Sequence, residues 1–289
     1  MMENLQVRWF REGGTDIDFA KQIVAFILGK RNSGKSALLE VLAELYLKHG
    51  AKIIDLFGAH DGEGLGWLRS PHVKENGKKV VLFHDEGTEI DSPYDTMLAD
   101  DFTLSSLNKA DIFVSAAPLY SVSDREFTSV HRIITELWNR HYWTEPIFLI
   151  VREAGNLLYS RLKISLSEKE AKAWYIYAMR ESRHAGLSLG LDSLRPMSID
   201  IDIRSLTDYT ILKNLGSRAL PREMWWIYKT IAPEQMARLK QNEFVIIDDG
   251  GNIGIGMSGC PRWHKLENEN IMKEVGIKVN YTAAKLGRG

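Results

Sequence analysis

Cysteine, net charge and long hydrophobic runs are all scarce in this sequence, and each scarcity excludes something. The single cysteine, Cys260, among 289 residues rules out an intramolecular disulfide and suits a reducing compartment. It reads as a small apolar filler, and although His264 lies nearby, the lack of a second cysteine leaves no zinc motif. The net charge of −1, from 37 basic and 38 acidic side chains, demands neither nucleic acid nor a membrane surface, while leaving room for a local basic patch. The longest apolar run, "IVAFIL" at Ile23–Leu28, is far too short to span a bilayer, so no membrane span is expected. The N-terminal "MMENLQVRWFREGG" is charged throughout and unlike a signal peptide. Nor is there an internal repeat or a low-complexity segment. The expectation is a cytoplasmic protein.

What the chain does have is the material of a folded core. Hydrophobic residues make up 44% and charged residues 26%, the balance of a globular protein, and the length suits one large α/β domain or a domain with a small appendage. Short apolar runs alternate with helical patterns, the signature of a parallel sheet covered by helices. Strands are expected over Gln22–Leu28, Lys52–Leu56, Val80–Phe83, Ile112–Ala116, Ile147–Val151, Leu187–Leu191 and Tyr209–Leu212. Helices are expected over Lys35–His49, Ser123–Tyr142, Glu168–Ala185, Pro221–Lys229 and Pro233–Leu239. "HVKENGKK", His72–Lys79, reads as a surface loop. After residue 240, "EFVIIDDGGNIGIGM" reads as a strand, a turn at Asp249-Gly250-Gly251 and a second strand, a small C-terminal hairpin. The organisation expected is one domain over residues 1–265 and a polar tail or interaction arm over 266–289.

The most specific chemistry lies in "GKRNSGKS", Gly29–Ser36, which fits G-x-x-x-x-G-K-[ST] between an apolar strand and an amphipathic helix, the context the motif requires. Gly29 and Gly34 permit a tight loop whose backbone N–H groups turn inward on phosphate. The helix that follows adds its positive N-terminal end. Lys35 is placed to reach the β- and γ-phosphates of ATP, and the Ser36 hydroxyl to ligate Mg²⁺. Asn32, Ser33 and Ala37 complete the expected nucleotide-binding set.

Hydrolysis also needs a carboxylate, and two strand ends offer one. "VVLFHDEG" carries Asp85 and Glu86 after a clean apolar run, and on pattern alone it is the better candidate. "IFLIVREAGNLL" carries Glu153, preceded by Arg152. Chain order favours the second. A buried strand, Leu187–Leu191, follows it at a distance and ends in polar Asp192 and Ser193, where a γ-phosphate could be sensed.

At this point the sequence resembles the HerA/FtsK superfamily of P-loop ATPases, which includes conjugative coupling proteins and viral genome-packaging ATPases. Four blocks over roughly residues 20–250 carry the resemblance in the expected order. They are "ILGKRNSGKSALLEVL" for the Walker A loop, "KIIDLFGAHDGEGLGW" for the second strand, "IFLIVREAGNLL" for the Walker B strand and "RESRHAGLSLGLDSLRPMSID" for an Arg-x-x-Gly, apolar strand and Arg-Pro block. The Walker A loop alone is generic, and the last block is the discriminating one. The resemblance implies a RecA-like P-loop fold of the ASCE type, with a mainly parallel central sheet flanked by helices. It makes Glu153 the catalytic base, Arg183 the arginine supplied to a neighbour's site, and Asp192 or Ser193, with Ser193 preferred, the sensor. Two positions depart from the pattern: Arg152 replaces the usual Asp that helps to hold Mg²⁺, and Leu194 the usual Gln. Both bear on turnover more than on nucleotide binding.

The resemblance further implies an oligomeric, ATP-driven motor, a hexameric ring, that translocates or packages double-stranded DNA, with targeting left to a partner protein. Arg180, Arg195 and Arg204 are further candidates for the arginine acting between subunits, and Arg69–Lys79 and the region near Lys163 for loops that grip DNA. Trp225, Trp226 and Tyr228 read as packing or interface residues rather than base-stacking ones. Two other functions compete. A nucleotide-binding switch or assembly module would explain Arg152 as lost hydrolysis, and a small-molecule kinase would need an acceptor pocket and an arginine-bearing lid.

Overall fold

A computed structural model of the protein describes residues 5–56, 62–138, 145–155, 172–173, 176–177, 179–180, 186–194, 205–217, 219–261, 263 and 271–282. In chain order the strands are β1 (Leu5–Trp9), β2 (Val24–Leu28), β3 (Lys52–Leu56), β4 (Val80–His84), β5 (Thr88–Asp91), β6 (Asp95–Leu98), β7 (Ile112–Ser115), β8 (Ile147–Val151), β9 (Leu187–Ser193), β10 (Tyr209–Leu212), β11 (Glu243–Asp248), β12 (Ile253–Ser258) and β13 (Lys278–Tyr281). Eleven of them form one sheet in the order β1-β12-β11-β10-β2-β9-β8-β3-β7-β4-β6. From β10 to β6 all neighbours are parallel, while β10-β11, β11-β12 and β12-β1 are antiparallel. β9 thus separates the loop-bearing β2 from the acid-bearing β8, the strand order of an ASCE-type P-loop domain.

The apolar runs explain which strands are central. Every residue of β2 ("VAFIL") and β8 ("IFLIV") is buried, so both faces of these strands are covered. Helix α1 (Lys35–Lys48) lies over β2, β9, β8 and β3, and all but three of its fourteen residues are buried. Gly190 on β9 lets the helix come this close, because a Cβ there would stand 2.5 Å from Leu39 Cδ1 and 2.7 Å from Phe148 Cζ. The outer side of α1 is covered as well, since Trp263 lies tilted against Trp67, ring centroids 4.9 Å apart, and donates from Nε1 to Glu44 Oε1 at 2.9 Å.

Periodicity missed the sheet's edges. β1 ("LQVRW") alternates half-buried and exposed residues, and β6 ("DTML") has no buried residue, so neither shows a continuous apolar run. "HVKENGKK" opens inside a short helix, α2 (Pro71–Lys74), and Arg222–Lys229 is a 3₁₀ rather than an α-helix. The amphipathic α3 (Ser123–Trp138) buries Phe127, Val130, Ile134 and Leu137 along one face. Within the stretch expected as a tail, residues 271–282 lie against the domain: β13 pairs antiparallel with β5, and Glu274 Oε2 meets Arg69 Nε at 3.0 Å. The expected helix Glu168–Ala185 falls mostly outside the described residues, as do Lys163, Arg183, Arg195, Arg204 and His264. Among the described residues no helix is long and apolar enough to cross a membrane.

Candidate functional site

Gly29–Ser36 connects the end of β2 to the start of α1, and its backbone leaves little choice of residue. Gly34 has φ +84°, and a Cβ there would lie 2.5 Å from the Gln241 carbonyl oxygen. A Cβ on Gly29 would lie 2.4 Å from Ser33 Oγ and 2.8 Å from Lys213 Cβ. Asn32 takes the left-handed conformation at φ +58°, which asparagine tolerates better than most residues. The loop is tied on both sides, with Gly29 N–H donating to Ser193 O at 3.3 Å and Lys30 N–H to Asn214 O at 2.8 Å. Lys35 is buried, its ammonium curled back on Lys30 O at 3.4 Å, and Ser33 and Ala37 are buried with it.

On the β9 side three of the expected residues come together with one that ranked behind Ser193. Asp192 lies beside Ile27 in the β9-β2 ladder, and its Oδ2 accepts from Ser36 Oγ at 3.4 Å. Its Oδ1 accepts the Glu153 N–H at 2.5 Å, and its carbonyl the Ala154 N–H at 2.7 Å. One side chain therefore links the phosphate loop to the turn carrying Glu153, which has φ +46°. For a non-glycine residue that conformation costs about 1–2 kcal/mol, and Asp192 holds it in place. Ser193, the residue preferred from the sequence, contributes its carbonyl to Gly29, whereas Asp192 is the tip side chain that meets Ser36. Successive strand side chains point to opposite faces, so the two could not both do so. Burial pushes the Asp192 carboxyl up to about 6, against the opposing pull of Lys35.

Arg152 reaches a buried pair of acids on β3 and α1. Its side chain is 0% exposed, with Nε 3.0 Å from both Asp55 oxygens, Nη2 2.7 Å from Asp55 Oδ2 and Nη1 2.8 Å from Glu40 Oε1. Glu63 Oε1 stands 3.8 Å from Nη1, and Trp67 Nε1 donates to Asp55 Oδ2 at 2.9 Å. Asp55, chiefly, together with Glu40 and Glu63, raises the guanidinium well above its ordinary value despite burial, so it stays charged. The alternative acids are elsewhere. Four strands separate β4 from β2, which puts Asp85 and Glu86 roughly 24 Å away at ~4.8 Å per strand. Asp85 organises its own loop, accepting from Thr88 Oγ1, from Ser121 N–H at 3.0 Å and from Ser121 Oγ at 2.5 Å.

The β10 side holds residues that carried no motif. Lys213, fully buried beneath the loop, donates from Nζ to Gln241 O at 2.5 Å, and Gln241 Nε2 donates to Asn32 O at 3.1 Å. Burial pulls the Lys213 ammonium down to about 8. Beyond it lies an apolar cavity of about 280 Å³, lined by Leu215, Gly216, Trp225, Tyr228, Pro233 and Met236 among others. It adjoins the loop, since a Cβ on Gly216 would lie 3.3 Å from Lys30 Cδ. Trp225 Nε1 donates to Leu220 O at 2.8 Å and Tyr228 Oη accepts from Leu220 N–H at 2.9 Å, so both rings are held by their polar atoms. Among the described residues no group of three or more His, Cys, Asp or Glu side chains is gathered as a metal cluster. The hydroxyl of Ser36 and the carboxylate of Asp192 nonetheless form a hard oxygen pair that suits Mg²⁺, which takes few protein ligands and keeps phosphate and water as the rest.

No protein-family profile matches the sequence, and no curated protein matches it significantly. Solved structures do match. The genome-packaging NTPase B204 from Sulfolobus turreted icosahedral virus 2, in complex with AMP, aligns at 21% identity and a TM-score of 0.50 over 84% of this chain and 100% of its own. The pCW3 conjugation coupling protein TcpA aligns at 13% identity and a TM-score of 0.48 over 90% of this chain and 66% of its own. By fold, this chain has the RecA-like P-loop architecture, a mostly parallel sheet flanked by helices, similar to that of the genome-packaging NTPase B204.

Proposed function

We propose that the protein is an ATP-hydrolysing motor that works as a homo-oligomeric, hexameric ring on double-stranded DNA. The observation that carries the reading is the meeting of Lys35, Ser36, Asp192 and Glu153 at one end of the parallel strands β2, β9 and β8. Ligands of open α/β sheets bind beyond the carboxyl ends of the strands. In this reading Lys35 neutralises phosphate charge, and the Glu153 carboxylate orients the attacking water and takes its proton. A bound Mg²⁺, held through Ser36, supplies charge neutralisation at the phosphates. With the γ-phosphate toward the acids on β8 and β9, the base lies on the β10 side, where the apolar cavity and Trp225, 50% exposed, offer a stacking surface. Arg183 is the proposed arginine from a neighbouring subunit, and targeting to a DNA in the cytoplasm is assigned to a partner protein.

The experiment is ATP turnover with and without duplex DNA, alongside particle mass in the presence of a non-hydrolysable ATP analogue. The motor predicts DNA-stimulated turnover, abolished by Lys35→Ala, in a six-fold assembly. Turnover by a monomer indifferent to DNA would reject it. ATP binding without turnover, unchanged by Glu153→Gln, would favour a nucleotide-binding switch or assembly module. Arg152 in the place of the usual Asp is the observation on that side.

A further inference from the structure

The position before Glu153 brings no carboxylate to the phosphate loop. Arg152 occupies it, and its guanidinium is engaged with Asp55 on β3 and Glu40 on α1. The loop nevertheless faces a buried carboxylate from another strand. β9 runs to Ser193, and its register against β2, Ile27 beside Asp192, sets the Asp192 side chain against the first turn of α1. Asp192 is 1% exposed, and its Oδ2 is the acceptor for the Ser36 hydroxyl at 3.4 Å. Its other oxygen is fixed by the Glu153 N–H, which leaves Oδ2 aimed at Ser36.

We propose that Asp192 is the protein carboxylate of the divalent-cation site, replacing from β9 the acid that β8 lacks at Arg152. This rests on the reading of the loop as a site for ATP. A hydroxyl and a carboxylate already within hydrogen-bond reach need only part slightly to share one small oxygen-loving cation, directly or through one of its waters. The arrangement divides two tasks that one strand end would otherwise combine. β8 supplies Glu153 for water, and its Arg152 ties β8 to β3 and α1. β9 supplies the cation's carboxylate. Because the same Asp192 carboxylate holds the Glu153 turn, a cation seated there would also set the position of Glu153.

The test uses the full chain with Mn²⁺ as the cation and ADP as the nucleotide. Mn²⁺ affinity is followed by electron paramagnetic resonance, and ADP affinity is measured separately in excess chelator. Asp192→Asn keeps the side-chain shape and an oxygen for the Glu153 N–H, and thermal melting checks that it folds. The expected result is a loss of Mn²⁺ affinity of about 10–100-fold, with metal-free ADP affinity within about twofold of the parent. Ser36→Ala approaches the same cation from the other side, and the double variant is expected to lose little more than the larger single loss, since both remove one shared site. Mn²⁺ affinity unchanged in Asp192→Asn would overturn the proposal, as would fully additive losses in the double variant. A parent protein that binds no ADP, or whose ADP binding ignores Lys35→Ala, would instead reject the nucleotide site, and the proposal with it.

Discussion

Replacing Arg152 with methionine tests whether the arginine is a lost catalytic position or a structural one. Methionine nearly fills the volume and removes the charge. It leaves Asp55 and Glu40, both 0% exposed, without the cation that holds them at 2.7 and 2.8 Å, with Glu63 3.8 Å from the vacated Nη1. Breaking a buried pair from one side costs about 3–5 kcal/mol, because the remaining charge stays in a low-dielectric interior. With about 2.1 cal/mol/K of unfolding entropy for each of 289 residues, one kcal/mol shifts the midpoint by roughly 1.6 °C, so the melting temperature should fall by about 5–8 °C. Neutralising the acids too, as Arg152→Met with Asp55→Asn and Glu40→Gln, should recover most of the loss. Thermal and urea melts measure both effects. A single variant melting within about 2 °C of the parent would refute the reasoning. By the same argument Arg152→Asp adds a carboxylate beside Asp55 and Glu40, so it should destabilise the fold rather than restore a metal ligand.

Other perturbations have equally definite outcomes. Gly34→Ala puts a side chain at φ +84° and 2.5 Å from the Gln241 carbonyl, and a cost of about 1–2 kcal/mol borne by the loop should weaken ATP binding about 5–30-fold in a titration. Trp225→Ala should lower ATP affinity by the roughly 1–3 kcal/mol of a base stacked on an aromatic ring while leaving tripolyphosphate affinity unchanged; equal losses for both ligands would place the base elsewhere. Glu126 on α3 is buried, its Oε1 has no hydrogen-bond partner among the described residues, and burial pushes its carboxyl from an ordinary 4.5 up to about 8. The native state keeps a proton that the unfolded chain releases, so stability should fall as pH rises from 4.5 to about 8, by at most roughly 5 kcal/mol. Glu126→Gln should remove that slope and raise the melting temperature at the alkaline end.

The tight turn of Gly29–Ser36 and the central strands could be read from the sequence alone because their causes are local. "GKRNSGKS" needs its glycines for the loop's own backbone, as the φ of +84° at Gly34 confirms, and "VAFIL" and "IFLIV" are apolar at every position because both faces are covered. Chain order also ranked Glu153 above the cleaner pattern of Asp85-Glu86, and the sheet puts β8 beside β9 while β4 lies near the far edge. What the sequence could not decide was pairing across long separations. Arg152 lies 97 residues from Asp55 and 112 from Glu40, and only the parallel alignment of β3 with β8 under α1 makes them neighbours. Which of the Asp192 and Ser193 side chains meets Ser36 depends on a one-residue register against β2, which sets the face each side chain takes. Lys213, Gln241 and the cavity beside Trp225 belong to no motif, because they serve the loop from segments that meet it only when β10 is laid against β2. Backbone geometry and burial on both faces are properties of a short stretch of chain, whereas the partners of a buried charge are set by how distant strands are ordered in the sheet.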